Sequence, residues 1–281
     1  MRVYPASETV CRELLEMPQQ QIEWIITNAT ASELTAAGFQ PRSEDQTCFI
    51  HPESGDVYRL ARRQRLDKAS GVLHYHCGED VTLEDELAIR PLTILAMAKD
   101  GDEIIDPFDG REDLDQGVLR HVTPHFSRVP DNVLTVAVWS AMLKAWGFSI
   151  AHGTHALLKK MVAAGAVDRL EQQAIGDAVL KALASRRPSA FFLVLHRCGA
   201  LRSISCELAD LFELSAQAGA HHSDGSELPE AMQAIDRAAS RTENVASVLK
   251  QFHQALGSNA EKVFESLGLE ILYQNAHSQT S

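Results

Sequence analysis

At 281 residues, with 45% hydrophobic and 23% charged side chains, the chain can bury a substantial core as one or two globular domains. Its net charge of −12 argues against wholesale binding of polyanions, because phosphate contacts need a locally positive surface. No apolar run approaches the roughly 18 residues of a membrane span, and Met1-Arg-Val-Tyr-Pro5 lacks the apolar core of a signal peptide. The five cysteines are scattered singly, which reads as reduced cytoplasmic thiols and not as a disulfide frame or zinc site.

Residues 1 to 40 read as a strand, a helix, a second strand and a short helix. Thr9 to Met17 is the first helix, with Val10, Leu14, Leu15 and Met17 as its apolar positions. Glu23 to Thr27 is a strand, and Ser32 to Ala37 a helix ended by Gly38. The runs Cys48 to Ile50 and Val57 to Ala61 flank Pro52-Glu-Ser-Gly-Asp56, a pattern that predicts a hairpin. Arg59 to Arg65 is the most basic stretch, read either as a solvated strand edge or as a contact for anions. Leu73 to Tyr75 is a third strand. Thr82 then caps a helix whose first turn carries Glu84 and Asp85, where the helix dipole favours acids. That helix turns Leu83, Leu87, Leu92, Leu95 and Met97 inward, and Pro91 interrupts it. Glu103 to Gly110 closes the segment as strand and turn.

From Pro130 the pattern is continuously helical. Val133, Leu134, Ala137, Val138, Ala141 and Met142 recur at helical spacing, as do Leu157, Leu158 and Met161, and further helices follow near Ile175 to Ala184 and Ser189 to Arg197. Gln217 to Glu227 reads as a flexible linker, Leu228 to Leu256 as one amphipathic helix with Ala231, Ile235, Ala238, Val245 and Leu249 on one side, and Ala276 to Ser281 as a disordered tail. His74 and His76 share a strand face beside Cys77, and His221 and His222 lie in the linker. Without a visible fourth ligand, both groups read as structural or loop histidines before metal ligands. His196 reads as a solvated residue of a packing helix. There is no G-x-S-x-G, P-loop or G-x-G-x-x-G.

The run His51 to Arg65, then Val81-Thr-Leu-Glu-Asp85, Leu92-Thr-Ile94, Glu103-Ile-Ile-Asp-Pro107 and Leu119-Arg-His-Val122, resembles the head domain of bacterial CCA-adding enzymes, the tRNA nucleotidyltransferases of the poly(A) polymerase type. The resemblance is collinear from about Tyr4 to about Leu211. It implies an α+β fold: a nucleotidyltransferase-type head with a mixed sheet and helices at residues 1–125, an all-helical neck at 126–216, and a linker and C-terminal helix at 217–281. His253-Gln-Ala-Leu-Gly257 faintly resembles the start of an HD domain, so the chain is identified as a truncated homologue.

The departures from the family pattern fall on its chemistry. The glycine turn V-G-G-x-V-R-D corresponds to Ala6-Ser-Glu-Thr-Val-Cys-Arg12, where Ser7 and Glu8 replace the glycines that let a backbone approach a triphosphate. The metal-binding D-x-D, two carboxylates on one strand face, corresponds to Gln21-Ile-Glu23. R-R-D-x-T-x-N-A corresponds to Ile89-Arg-Pro-Leu-Thr-Ile-Leu-Ala96, which keeps Arg90, Thr93 and Ala96. The neck arginines that face the incoming base are replaced by Asn132, Thr135 and Val138, and the acidic pair by Arg128 and Val129; Val138 implies that apolar packing fills the space.

The expectation is therefore a degenerate nucleotidyltransferase that keeps its fold and binds tRNA, another RNA, or a protein partner. No membrane partner or DNA specificity is expected, and no cofactor. Glu23 is the residual catalytic position, and Arg62, Arg65 and Arg90 are the candidate nucleotide- or RNA-binding residues. The alternative is an active enzyme with an atypical site, in which Glu23, Glu84, Asp106 and Asp109 hold Mg2+ for CTP and ATP. A second alternative is a protein-interaction module that uses the C-terminal helix.

Overall fold

The computed structural model describes residues 1–19, 21–42, 46–67, 73–219, 228–242 and 244–269. They divide into two compact units, Met1–Arg128 and Val129–Ser281. No helix among the described residues is long and apolar enough to cross a membrane.

The first unit is built on a five-stranded mixed sheet in the order β1-β2-β5-β4-β3. Its strands are β1 (Arg2–Pro5), β2 (Glu23–Thr27), β3 (Gln40–Pro41), β4 (Cys48–Ile50) and β5 (Val57–Leu60). β1 runs antiparallel to β2, β2 parallel to β5, and β4 antiparallel to both β5 and β3, so the predicted hairpin is β4–β5. Two ribbons follow, β6 (Arg62–Leu66) with β7 (Leu73–Cys77) and β8 (Ala98–Asp100) with β9 (Glu103–Ile105). Successive strand residues point to opposite faces, so β2 feeds two cores. Ile25 packs with Tyr4, Ala6, Ala61, Leu87 and Ala98, whereas Ile26 packs with Leu34, Phe49 and Leu60.

Four helices cover the sheet: α1 (Glu8–Leu14), α2 (Ala31–Ala36), α3 (Leu83–Ala88) and α4 (Gly110–Gln116). α1 is shorter than the predicted Thr9 to Met17. α3 carries the predicted Thr82 cap as a full capping box, Thr82 accepting from the Asp85 N–H while Asp85 accepts from the Thr82 N–H. It ends before Pro91, as the ring requires, and a short turn over Thr93–Leu95 replaces its continuation. Gly110 opens α4 so close to α3's sequel that a Cβ there would run into the Thr93 carbonyl oxygen.

Apart from the two-residue strand Ser149–Ile150, the second unit is built of helices: α5 (Asn132–Leu143), α6 (His152–Ala163), α7 (Gln172–Leu183), α8 (Ser189–Cys198), α9 (Ala200–Ile204), α10 (Cys206–Gly219), α11 (Glu230–Ala239), α12 (Val245–Leu256) and α13 (Ala260–Ser266). α5 is apolar on nearly every side, buries almost its whole length, and packs on α7 and α8, as an all-round apolar helix must. The single helix expected from Leu228 to Leu256 is two helices. Ser240 ends α11, and the Asn244 side chain accepts from the Ala246 N–H to start α12. The apolar stripe expected to face a partner is largely turned inward, with Ala231, Ile235 and Leu249 buried. Asp236 of α11 fastens this segment by accepting from the Ser189 N–H (3.0 Å) and Oγ (2.7 Å) at the start of α8. Of the expected linker, residues 217–219 continue α10; 220–227, with His221 and His222, and the tail Ala276 to Ser281 lie outside the described residues.

Candidate functional site: a carboxylate shared by guanidiniums

Glu23 opens β2 on the same sheet face as Ile25, whose partner on the parallel strand β5 is Arg59. Arg59 therefore projects diagonally next to Glu23 and places its Nε 3.3 Å from the Glu23 Oε1. Arg90, in the turn after α3, places Nη1 2.9 Å from the same oxygen. Its other arm reaches Glu86, one helical turn back, in a 3.0 Å ion pair between Nη2 and Oε1. The Glu86 side chain is 0% exposed. It also accepts from the backbone N–H of Arg62 (2.8 Å) and from Arg62 Nε and Nη2, both at 3.0 Å. Arg62 is closed from the other side by the Tyr75 ring, 5.0 Å away. The result is a chain of alternating charge, Arg59–Glu23–Arg90–Glu86–Arg62. Burial works against ionisation of Glu23, but Arg90 and Arg59 outweigh it and hold its pKa below the usual carboxylate value.

This arrangement does not fit a divalent cation. Magnesium needs several oxygen donors free to face it, and the D-x-D geometry needs two of them on one strand face. Here Glu23 turns an oxygen to two cationic side chains. Gln21 precedes the strand, and its amide donates to the Gly55 carbonyl. The other expected ligands do not assemble around Glu23. Asp106 caps α4, accepting from the N–H groups of Gly110 (2.7 Å) and Arg111 (2.9 Å). Asp109 is the left-handed residue before that helix, and Glu84 is exposed on α3. Among the described residues no group of three or more His, Cys, Asp or Glu side chains is placed to hold a metal. His76, in the group with His74 and Cys77, instead meets Asp80 at 2.9 Å.

The turn expected at the family's glycine positions has a backbone that favours glycine. Ser7 has φ 57° and ψ −120°, a conformation open in practice only to glycine. Its Oγ is buried without a hydrogen-bond partner among the described residues, and its N–H donates to the Met97 carbonyl. Glu8 follows as the first residue of α1, where it pairs with Arg12 at 2.7 Å. A carboxylate thus occupies the mouth of a turn that would have to admit triphosphate. Thr93 also has a structural role: its hydroxyl donates to Asp113 (2.6 Å), which holds Arg120 in turn.

The basic stretch is mostly neutralised from within. Arg59 and Arg62 are paired as described, and Arg63 is held by Asp85 (2.7 Å) and Asp80 (3.1 Å). Of the three expected nucleotide- or RNA-binding arginines, Arg62 and Arg90 are partners of Glu86, and Arg65 alone is exposed without an ion pair among the described residues. In the second unit Val138 is buried, as its apolar side chain predicts, and Asn132 is buried as well. His196, expected to be solvated, stacks on Phe212 with ring centroids 4.8 Å apart, and burial lowers its pKa. Glu86 and Arg59 were not singled out in the sequence. The readable hint was the Glu86/Arg90 spacing on a helix that also carries Leu87 inward.

No protein-family model matches the chain. Its fold is shared with solved CCA-adding enzymes. The Bacillus stearothermophilus CCA-adding enzyme in complex with CTP superposes with a TM-score of 0.61 at 17% identity, over 95% of this chain and 78% of that one. A complex of a CCA-adding enzyme with ATP gives 0.60 at 17% identity, over 95% and 61%. These define the class: a nucleotidyltransferase-type head with a helical region. At the level of sequence, the Multifunctional CCA protein of Pseudomonas paraeruginosa is 38% identical over 224 residues, 79% of this chain and 54% of that protein. The one from Alcanivorax borkumensis is 40% identical over 213 residues, 75% and 52%. The chain is a homologue of these proteins. It spans about half the length of the curated relatives it matches.

Proposed function

We propose that this protein is a degenerate tRNA nucleotidyltransferase that has lost nucleotide addition and uses the family fold to bind RNA, tRNA or a relative of it. The observation that carries the proposal is Glu23 held between Arg59 and Arg90. Nucleotidyl transfer draws nearly all its catalysis from positioning and charge neutralisation by metal ions. A carboxylate already neutralised by two guanidiniums, beside a glutamine, supplies neither. Ser7 and Glu8 in the cradle, and Asn132 and Val138 buried at neck positions, point the same way. The five cysteines are free thiols, in keeping with a cytoplasmic protein.

The test is incorporation of radiolabelled CTP and ATP into tRNA lacking its 3′ end, with magnesium or manganese, by wild type and Glu23→Ala. No incorporation, with salt-sensitive tRNA binding, is the expected result. Incorporation that Glu23→Ala abolishes would restore the enzyme. A second reading, a protein partner, is favoured by the net charge of −12 and by the internal pairing of Arg59, Arg62, Arg63 and Arg90. Absence of both incorporation and tRNA binding would select it.

A further inference from the structure

The head holds a second concave site, on the sheet face opposite to Glu23. Trp24 follows Glu23 on β2, and successive strand side chains leave opposite faces. A cavity of about 610 Å³ lies against Trp24, Ile22 and Met17, with Glu13, Glu16 and Lys99 completing its wall. Its volume falls within the range of about 300–1,000 Å³ typical of small-ligand sites. None of these six residues takes part in the ion network around Glu23 and Glu86.

Two polar groups at this cavity are unmet among the described residues. The Trp24 Nε1 is buried without a hydrogen-bond partner, although its ring is fixed by stacking on Tyr58 with centroids 5.8 Å apart. Glu16 has no ion pair, whereas Glu13 is paired with Lys99. The backbone also holds Glu16 in place against its own preference. α1 ends in a Schellman motif, in which the Glu16 N–H donates to the Glu13 carbonyl and the Met17 N–H to the Arg12 carbonyl. Glu16 takes the left-handed position of that motif, with φ 52°, where glycine is the relaxed choice. Strain of this kind clusters at ligand sites, where the side chain has a use.

We propose that this cavity binds an α-aminoacyl group with an apolar side chain, carried by a small amino-acid derivative or by the amino terminus of a peptide. The two unmet groups set the polar ends of the ligand. The Glu16 carboxylate suits a cation that donates, and the Trp24 indole N–H suits an acceptor. An ammonium and the carbonyl oxygen beside it supply both, and a hydrogen bond from the ammonium to the carboxylate is of the stronger, charge-assisted kind. Met17, Ile22 and Trp24 offer the apolar surface for the side chain, and the face of an indole ring attracts a cation as well. An anion is disfavoured, because Glu13 and Glu16 outnumber Lys99 at the cavity. The proposal is independent of RNA binding and of nucleotide addition.

Isothermal titration calorimetry on the full-length protein tests this with leucinamide, with 4-methylpentanamide, which lacks the ammonium, and with the tripeptide Leu-Gly-Gly. Leucinamide should bind saturably. 4-Methylpentanamide should bind at least about ten-fold more weakly, as should leucinamide to Glu16→Gln, because each change removes the charge-assisted hydrogen bond. Trp24→Phe keeps an aromatic ring, loses the N–H, and should weaken leucinamide about three-fold or more. Glu16→Gly separates binding from folding: it should bind leucinamide as weakly as Glu16→Gln while melting above wild type, because it relaxes the left-handed position. Glu261→Gln, which removes an exposed charge in the helical unit, should match wild type. Tighter binding of the tripeptide than of leucinamide assigns the site to a peptide amino terminus, and equal or weaker binding assigns it to a small molecule. Absence of saturable binding by both, or equal affinity of leucinamide for wild type and Glu16→Gln, would overturn the proposal.

Discussion

Glu86 carries more of the head unit's buried charge than any residue that resembles a catalytic one. It is fully buried and neutralises Arg62 and Arg90 together. Removing one partner of a buried pair leaves uncompensated charge, which costs about 3–5 kcal/mol. Glu86→Gln should therefore lower the free energy of unfolding by an amount in that range, read from denaturant titration; an unchanged value would show that the network is incidental. Ser7 predicts the opposite sign. A non-glycine residue in its conformation costs about 1–3 kcal/mol, and its hydroxyl is buried without a partner, whereas glycine loses more chain entropy on folding by about 0.5–1 kcal/mol. Ser7→Gly should raise stability by about 1 kcal/mol, seen as a melting temperature higher by a few degrees. A lower melting temperature would mean that the serine side chain is needed.

The lowered pKa of Glu23 makes a further claim at this scale. A carboxylate held below its unfolded value binds fewer protons when folded, so stability rises with pH through that range. The contribution is complete above the ordinary glutamate pKa of about 4.3 and is lost as the pH falls through the lower folded value. Denaturant midpoints between about pH 6 and pH 3 should fall less steeply for Glu23→Gln than for wild type. Parallel curves would show that Arg59 and Arg90 do not hold the charge.

At the level of elements, Asp85, Glu86, Asp106 and Asp113 each have a structural duty. Asp106 satisfies two N–H groups at the start of α4. Asp106→Ala should destabilise the protein by about 1–2 kcal/mol in metal-free buffer, as loss of a cap does. A metal ligand would behave otherwise, since its removal in metal-free buffer would relieve charge repulsion and cost nothing. The elements themselves were largely legible. The Thr82 cap, the β4–β5 hairpin and the helices around Val179 and Phe192 are specified by neighbours within a few residues, through capping, turn chemistry and apolar period. The site was not legible in the same way. Arg90 lies 67 residues from Glu23, and Arg59 reaches it only because β2 pairs in parallel with β5. The sequence shows that Gln21 and Glu23 depart from a metal-binding pair; only the fold shows what neutralises Glu23 instead. The break between α11 and α12 was missed because the apolar stripe runs across it, while Asn244, a capping residue, was the local signal.

For the whole molecule, charge is partitioned. In the head, Arg59, Arg62 and Arg90 are turned onto Glu23 and Glu86, whereas Arg65 is exposed without an ion pair among the described residues. On the proposed reading, this internal ion network stands where the family pattern expects a metal-dependent site. Manganese titration followed by electron paramagnetic resonance, in the presence of CTP, tests that reading most directly. Wild type and Glu23→Ala should both leave the free-manganese signal at the level set by CTP without protein, because Arg59 and Arg90 already hold the carboxylate. Uptake of manganese by the wild type that Glu23→Ala abolishes would contradict the account.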